Sequence, residues 1–374
     1  MIRYFLQRFI WVFLVLFGIL TVTFIFLKIQ PEYPPQNLAE LSVWLEKNRS
    51  DGYLIVSEIG RDSGENYKEL QTAAINDVTK YTIWADYAKP DVNNPNRVLY
   101  VYTKVPIMVQ YGRWLLHVLT EFDWGLSTRV SINKPVTEVL NQTFKYSVGV
   151  NLLVLIIEIP FGLALGVITA IKKDKLIDNI VSIVMMVFIS LPSFVVIMLL
   201  MSWLGSTGLQ TGVKLSLLPY QWAPDSAVLS QRILSYVIPV SAISLGSIAG
   251  LTRAVRGELS EGLTQDFVLL ARTKGLSKRQ AIFRHGFRNA LTPILPGLIF
   301  SFAGLLSGSP IIERVYGIPG AGRLFLQAIQ GSPDYNIIMY DTAFFGFIGL
   351  FIGILVDISY SFIDPRIRMG AKND

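Results

Sequence analysis

The chain has no cysteine and only two histidines, His117 and His285. Disulfides, thiolate nucleophiles and cysteine-ligated metals are therefore excluded, and two histidines alone cannot build a histidine-rich metal site. Charged residues are also scarce, at 16% of 374. No G-x-x-x-x-G-K-[ST] run occurs, so the chain lacks the loop that would cradle nucleotide phosphates. The most basic loop holds three scattered acids, Glu258, Glu261 and Asp266, with no carboxylate pair and no nucleophile set beside a base. His285 lies among arginines without an aligned acid, which argues against a membrane-embedded enzyme.

Apolar side chain is what the sequence has in excess. At 52% hydrophobic it carries more than one soluble core of this size needs, and it reads as an all-α polytopic membrane protein. Runs of spanning length fall at about 9–27, 146–171, 177–204, 233–252, 290–312 and 337–363, which predicts six transmembrane helices. The first follows Arg3 and Arg8, is longer than a signal-peptide core and has no cleavage site after it, so it reads as a retained span. The net charge of +6 is spread in short clusters beside these runs rather than gathered on one solvated face, so nucleic acid is not expected as a partner.

Lysine and arginine fix the expected orientation. Arg3 and Arg8, "KKDK" at 172–175, the 253–289 loop and "DPRIRMGAK" near the end all fall on one side, which places both termini in the cytoplasm. The predicted division is residues 1–30 as the first span, 31–105 as an extracytoplasmic insert, 106–145 as an interfacial helix and lead-in, and 146–371 as a five-helix core. In the insert, "VSEIG" and "RVLYVYTKV" have strand composition. "NLAELSVWLEKN" and "NYKELQTAAINDVTKYTIWADY" have helical periodicity, so a small α/β subdomain is expected. The stretch "PIMVQYGRWLLHVLTEFDWGLS", with Trp114 and Trp124, suits a helix lying flat at the headgroups.

The loop "DFVLLARTKGLSKRQAIFRHGFRNA" stands apart. It belongs to a segment with eight Arg or Lys, including Arg272, Lys274, Lys278 and Arg279. Asp266 is the expected N-cap of a helix starting at Phe267, and Gly275 is the expected left-handed C-terminal stop. Ser277 with Gln280 forms an S-x-x-Q capping box that starts a second helix running toward Pro293. Two turns are too short to be stable alone in water, which implies a packing partner. Phe267, Leu270, Ala271 and Lys274 recur at i, i+3, i+4 and i+7 and predict an apolar strip with a basic end, suited to a groove on a partner. The alternative is a solvated loop that only enforces the positive-inside rule.

"ARTKGLSKRQAIFRHGFRNALTPIL" resembles the corresponding loop of ABC importer permeases, specifically the dipeptide and oligopeptide permease B type. The resemblance extends over about 1–30 and 106–371, through "YGRWLLHVLTEFDWGLS", "ERVYGIPGAGRL" and "DISYSFIDPRIR". It implies a type I ABC importer permease fold. The function implied is import of oligopeptides or dipeptides delivered by an extracytoplasmic binding protein. A homologous C-type permease subunit and two ABC ATPases would complete the complex. ATP and Mg would be bound by those ATPases, with no cofactor in this chain, and lipid and the peptide substrate are the remaining partners. Ala271 and Gly275 occupy the positions of the family's Ala and Gly in the ATPase-coupling helix. Leu269 and Leu270 stand where the broader importer pattern has Glu-Ala, so a carboxylate contact is not carried over. Residues 31–105 have no counterpart in most relatives. Relatives of this type also import nickel complexes or oligosaccharides, and these stay open as alternatives.

Several residues suggest the pathway. Glu158, just ahead of Pro160, is costly at membrane depth unless it faces protein, water or a basic partner. It could line the pathway, make a structural hydrogen bond, be buried protonated or sit against a partner subunit. Ser190, Pro192, Ser193, Ser244 and Ser247 are placed within helices, with packing as the default and cavity lining as the minority role. Gly317, Pro319, Gly320 and Gly322 predict a compact outer loop, either near the mouth of the pathway or a plain turn. A secondary transporter would show inverted repeats with interrupted helices and midplane ionisable groups; only Glu158 fits that description.

Overall fold

The computed structural model describes residues 2–29, 46–60, 81–85, 98–204, 218–331 and 333–363. Much of the predicted insert, including "NLAELSVW" and 66–80, lies outside the described residues. The described chain is mainly helical and divides into two compact units, residues 1–12, 143–324 and 347–374 in one and 13–142 and 325–346 in the other.

Helix α1 (Ile2–Ile29) is followed by three strands, β1 (Leu54–Gly60), β2 (Tyr81–Ala85) and β3 (Val98–Lys104). They form one antiparallel sheet in the order β1-β3-β2, with Leu54 opposite Lys104 and Tyr81 opposite Thr103. The predicted strands "VSEIG" and "RVLYVYTKV" fall on β1 and β3. Residues 81–85 differ from expectation: they continue a helical pattern in the sequence but form β2. Tyr81, Thr82, Ile83 and Trp84 are aromatic or β-branched, types that suit a pleated strand, and pairing with β3 outweighs the local periodicity.

Helix α2 (Ile107–Glu121) buries Tyr111, Trp114 and Val118 while Met108, Leu116 and Leu119 face outward. Within this unit Tyr111 packs on Phe24 at 5.3 Å, and Trp114 meets Trp124 edge-on at 5.8 Å. The Thr21 and Tyr111 hydroxyls are 2.5 Å apart. These contacts tie α2 to α1 through aromatic bulk, which contributes beyond area burial alone.

Helices α3 (Val136–Ile171), α4 (Leu176–Ser190), α5 (Ser193–Leu204), α6 (Leu229–Leu234) and α7 (Val237–Gly262) carry the core of the other unit. Next come α8 (Asp266–Thr273) and α9 (Lys278–Ala281), a π-turn Ile282–Gly286 and α10 (Phe287–Ser307). The chain closes with α11 (Pro310–Tyr316), α12 (Ala321–Ile329) and α13 (Tyr335–Ile363). Among the described residues four helical segments are long and apolar enough to cross a bilayer: Leu6–Ile29, Val136–Ile171, Leu229–Gly262 and Tyr335–Ser359. The bent pair α4–α5 makes a fifth if counted as one span.

That pair corrects the prediction of one continuous helix over 177–204. The two halves meet at 99°, and Leu191 is extended, with φ −85° and ψ 121°. A residue before proline is pushed out of the α region, so Pro192 begins the break instead of lying inside a helix, and Ser190 and Ser193 end up on either side of it. The interruption is visible in the sequence as Ser190-Leu191-Pro192-Ser193, within an otherwise apolar run long enough to read as one span.

Two devices hold α7 to its neighbours. Gly162 and Gly166 form a G-x-x-x-G face on α3: a Cβ at Gly166 would lie 2.5 Å from Val255 and 3.0 Å from the Thr252 carbonyl oxygen. Small residues here allow the backbones to approach closely. The second is an ion pair. Arg256 donates through Nε to Asp178 Oδ1 at 2.5 Å and through Nη2 to Oδ2 at 2.8 Å. The Asp174 amide and the Ser182 hydroxyl also donate to the fully buried Asp178 carboxylate. A bidentate guanidinium fixes direction as well as distance, so the start of α4 is pinned to α7.

Arg256→Gln leaves Asp178 buried with its main partner gone and is expected to cost about 3 kcal/mol. Gly166→Val overpacks the helix contact and costs about 1–3 kcal/mol. Thermal unfolding in detergent checks both. A midpoint unchanged in either variant would show that the corresponding contact is not made.

Candidate functional site

The basic loop folds into a short bracket. Helix α8 starts at Asp266 with Gln265 as the N-cap residue, one position earlier than expected, and no side chain caps it. Asp266 is therefore not the N-cap; as the first helical residue its charge still sits favourably at the positive end of the helix. The C-terminus follows expectation. Gly275 has φ +94°, its amide donates to Arg272 O at 3.0 Å, and the Leu276 amide donates to Ala271 O at 3.3 Å. This is the paired hydrogen-bond pattern of a Schellman stop, which needs a left-handed residue and thus favours glycine.

Helix α9 then restarts from the capping box. The Ser277 side chain accepts from the Gln280 amide at 3.3 Å, and Gln280 Oε1 accepts from the Ser277 amide at 3.0 Å. The turn and the box together fold the bracket back on itself. Val268 and Ala271 of α8 are buried against Ala281, with Leu263 packed beside them. The predicted strip is accordingly split: Ala271 faces inward at 6% exposure, whereas Phe267, Leu270 and Lys274 are exposed. Leu269 joins the outer apolar surface at 62% exposure. Gly275, Ser277 and Arg279 are also exposed. The arrangement offers a small apolar surface beside cations, on a helix whose inner face is already satisfied.

In the outer loop the organising group is Glu313, which sequence reasoning passed over. It is 3% exposed and lies on α11. Its carboxylate accepts from the Ser147 hydroxyl at 2.7 Å, the Arg323 amide at 2.8 Å and the Ser309 amide at 3.3 Å, with a further backbone bond from Gly322. The Ser147 hydroxyl in turn accepts from the Ala321 amide at 2.9 Å. Glu313 thus caps the N-terminus of α12 from a distance and closes the "YGIPGAGRLF" turn around itself. Burial pushes its carboxyl above the usual range, against the pull of these donors. Gly317 is left-handed at φ +81°, and a Cβ on Gly320 would fall 2.4–2.5 Å from the Glu313 carboxylate. Pro319 lies between them. Tyr316 is fully buried, and its hydroxyl donates to Pro219 O at 2.7 Å.

The candidate pathway residues are dispersed. Glu158 on α3 is buried and lies near Ser247 on α7, whose hydroxyl is directed to the Ile243 and Ser244 carbonyl oxygens at 3.3 Å. Ser244 is buried, and its hydroxyl finds no partner among the described residues. Ser190 is exposed and donates to Met186 O at 2.8 Å, and Ser193 is exposed at the start of α5. Among the described residues Ser247 meets both Glu158 and, on its own helix, Ser244, whose carbonyl oxygen accepts from the Ser247 hydroxyl at 3.3 Å.

Asp334 was also missed. Fully buried, it accepts from the Ser127 hydroxyl at 2.7 Å and from the amides of Thr128, Arg129 and Val130 at 3.0–3.2 Å. It also receives the Ile337 amide at 3.5 Å, at the start of α13. A single acid between two apolar runs was the available signal.

A helical membrane protein with several spans, a bracket of capped helices and no catalytic constellation among its described residues has the features of a permease component. The family described as "binding-protein-dependent transport system inner membrane component" matches residues 162–369. The chain is 33% identical over 280 residues to the dipeptide transport system permease protein DppB of Bacillus subtilis, covering 74% of this chain and 84% of that one. It is 30% identical over 275 residues to the oligopeptide transport system permease protein OppB of Mycobacterium tuberculosis, covering 71% and 81%. Among solved structures, the MetNI methionine ABC transporter in an inward-facing form gives a TM-score of 0.47 at 14% identity, covering 62% of this chain and 100% of that one. The chain belongs to the binding-protein-dependent transport inner-membrane family and is a multi-pass permease subunit of an ABC importer.

Glu313→Ala removes the acceptor for the Ser309, Gly322 and Arg323 amides. Each orphaned donor costs about 1–3 kcal/mol if it stays buried. Solvent entry should limit the total to a few kcal/mol, read as a lower unfolding midpoint and faster proteolysis near 317–323. Unaltered proteolysis there would contradict the role given to Glu313.

Proposed function

We propose that this permease imports oligopeptides or dipeptides, powered by two ABC ATPase subunits that seat on α8 and α9. The observation that carries this reading is the exposed set Phe267, Leu269 and Leu270 on a helix whose opposite face is packed and whose end is fixed at Gly275. A rigid two-turn helix held this way transmits displacement without bending. The relatives named as dipeptide and oligopeptide permeases support peptide as the substrate.

In this reading six helices span the membrane, with α10 as the span that completes the set. It is 21 residues long, with Arg288 near its start and no other charge. Both termini and the 253–289 loop lie in the cytoplasm, supported by the lysine and arginine bias. A homologous C-type subunit completes the pathway, and an extracytoplasmic binding protein delivers the peptide. ATP and Mg are held by the ATPases, which do the hydrolysis, and this chain does none. Closure of the ATPase dimer pushes the bracket built from Phe267, Leu270, Ala271, Lys274, Gly275, Ser277 and Arg279. The bundle then reorients so that Glu158, Ser190, Ser193, Ser244 and Ser247 alternate between the two sides. The Gly317, Pro319 and Gly320 turn frames the outer mouth. Residues 31–105 form a small α/β subdomain that helps to seat the binding protein, and 106–135 lie along the membrane surface before the second span, which begins at Val136 rather than at 146.

Leu270→Asp places a charge where an apolar contact is proposed and removes about 1.5–3 kcal/mol of burial. ATPase affinity for the permease should fall about ten- to a hundredfold, with peptide uptake lost in vesicles. Unchanged affinity together with full uptake would overturn the reading. Deleting residues 33–103 should weaken binding-protein association in a pull-down while leaving ATPase binding intact; equal association would remove the role given to the insert.

A further inference from the structure

The insert leaves and rejoins the rest of the chain through a base pinned to the helices beside it. On the way in, the Gly52 carbonyl accepts from the Arg113 guanidinium of α2, and Tyr53 and Leu54 are buried. On the way out, the Val105 amide donates to Tyr53 O at 3.0 Å, and Val105 O accepts from Gln110 Nε2 of α2 at 2.7 Å. Lys47 adds ion pairs with Asp51 at 3.0 Å and with Asp123 at 3.6 Å. Strand β1 leaves this base and β3 returns to it, with Leu54 opposite Lys104. A subdomain needed only for its own surface could hang on two plain tethers; this one is fixed at both crossings.

The base meets the spans at one cation. Lys28, in the last turn of α1, has its Nζ 5.4 Å from the ring centre of Tyr53 and 4.9 Å from that of Tyr335, the first residue of α13. Both fall within the distance of about 6 Å at which an aromatic face attracts an ammonium. One side chain therefore joins the insert to the ends of two candidate spans, Leu6–Ile29 and Tyr335–Ser359. The neighbours of Tyr335 fasten the same helix end to the segment before α3. Asp334 accepts from the Thr128, Arg129 and Val130 amides, and Asn336 donates to Leu126 O at 2.9 Å. Close-packed contacts of this kind pass a displacement on instead of absorbing it.

We propose that the Tyr53–Lys28–Tyr335 junction carries the docking signal of the binding protein into the membrane. When the binding protein loads the insert, the displacement passes through Lys28 to the start of α13, and ATP hydrolysis by the motor rises. This rests on the docking role given above to the insert. Lys28 is then a positioning residue for coupling, with no part in holding peptide or binding protein.

The test uses the complete complex in vesicles, with its binding protein saturated by a mixed tripeptide pool. Two quantities are read: association of the binding protein, and the ATP hydrolysis it stimulates. Lys28→Met keeps the stem and removes the charge, and Tyr335→Leu removes the ring face. Each should leave basal hydrolysis and association unchanged and lower the stimulated increment about two- to fivefold. Tyr335→Phe keeps the ring and should keep the stimulation. Full stimulation in both Lys28→Met and Tyr335→Leu would overturn the junction. So would a deficit that excess binding protein repairs, because the residues would then shape docking alone. The unaltered chain gives a check that needs no variant to fold: docking should change amide exchange at Ile337 and Ile338, which are bonded to Asp334. No change at those amides would contradict the route. Association that survives deletion of 33–103 would overturn the docking role of the insert and this route with it, whereas intact docking with unaffected stimulation overturns the route alone.

Discussion

A helix of two turns does not hold itself in water, and the behaviour of the basic loop follows from how this chain solves that problem. Val268 and Ala271 are turned against Ala281 and Leu263, the left-handed Gly275 closes the first helix, and Ser277 with Gln280 opens the second. Each device is small; a capping interaction contributes about 1 kcal/mol. Together they convert a hydrophilic connection into a body with a satisfied inner face and an apolar outer one. Without that preorganisation the exposed Phe267 and Leu270 would be a flexible patch.

The same logic recurs at larger scale in three buried carboxylates. Asp178 pins α4 to α7 through Arg256, Glu313 gathers the turn before α12, and Asp334 collects three successive amides and begins α13. In each case a charge removed from water is matched by directed donors, the condition under which burial is tolerated. These acids stand at helix ends, where unsatisfied backbone groups concentrate. The apolar spans supply bulk, and the acids set direction. Where a span meets another span, small residues do that job, as Gly166 does against Val255.

How much of this was legible depends on the distance over which the information acts. The Gly275 stop and the Ser277–Gln280 box are local and could be read directly from the sequence, as could the four long apolar spans among the described residues. Asp266 was misassigned by one residue because an acid at the first helical position looks the same in sequence as an N-cap. The bend at Pro192 was missed because the length of the 177–204 run suited a single span, although the proline and its flanking serines carried the signal of a break. The strand at Tyr81–Ala85 was hidden by a helical pattern that pairing with β3 overrides. The roles of Asp178, Glu313 and Asp334 were not legible, since their partners lie 78, 166 and 207 residues away in the chain. Of the proposed pathway set, Glu158 stood out as an acid in a span, but its link to Ser247 needed the fold. Ala271 was expected on the outer apolar strip with Phe267 and Leu270, and its inward orientation did not follow from spacing.

The account depends on the loop being a formed bracket before any motor meets it. Amide hydrogen exchange measures this directly, comparing the permease alone in membrane with the complete complex. Slow exchange at Gly275, Leu276 and Gln280 is predicted in both states, with added protection over α8 and α9 once the ATPases bind. Fast exchange at those three amides in the permease alone, or no added protection in the complex, would contradict it.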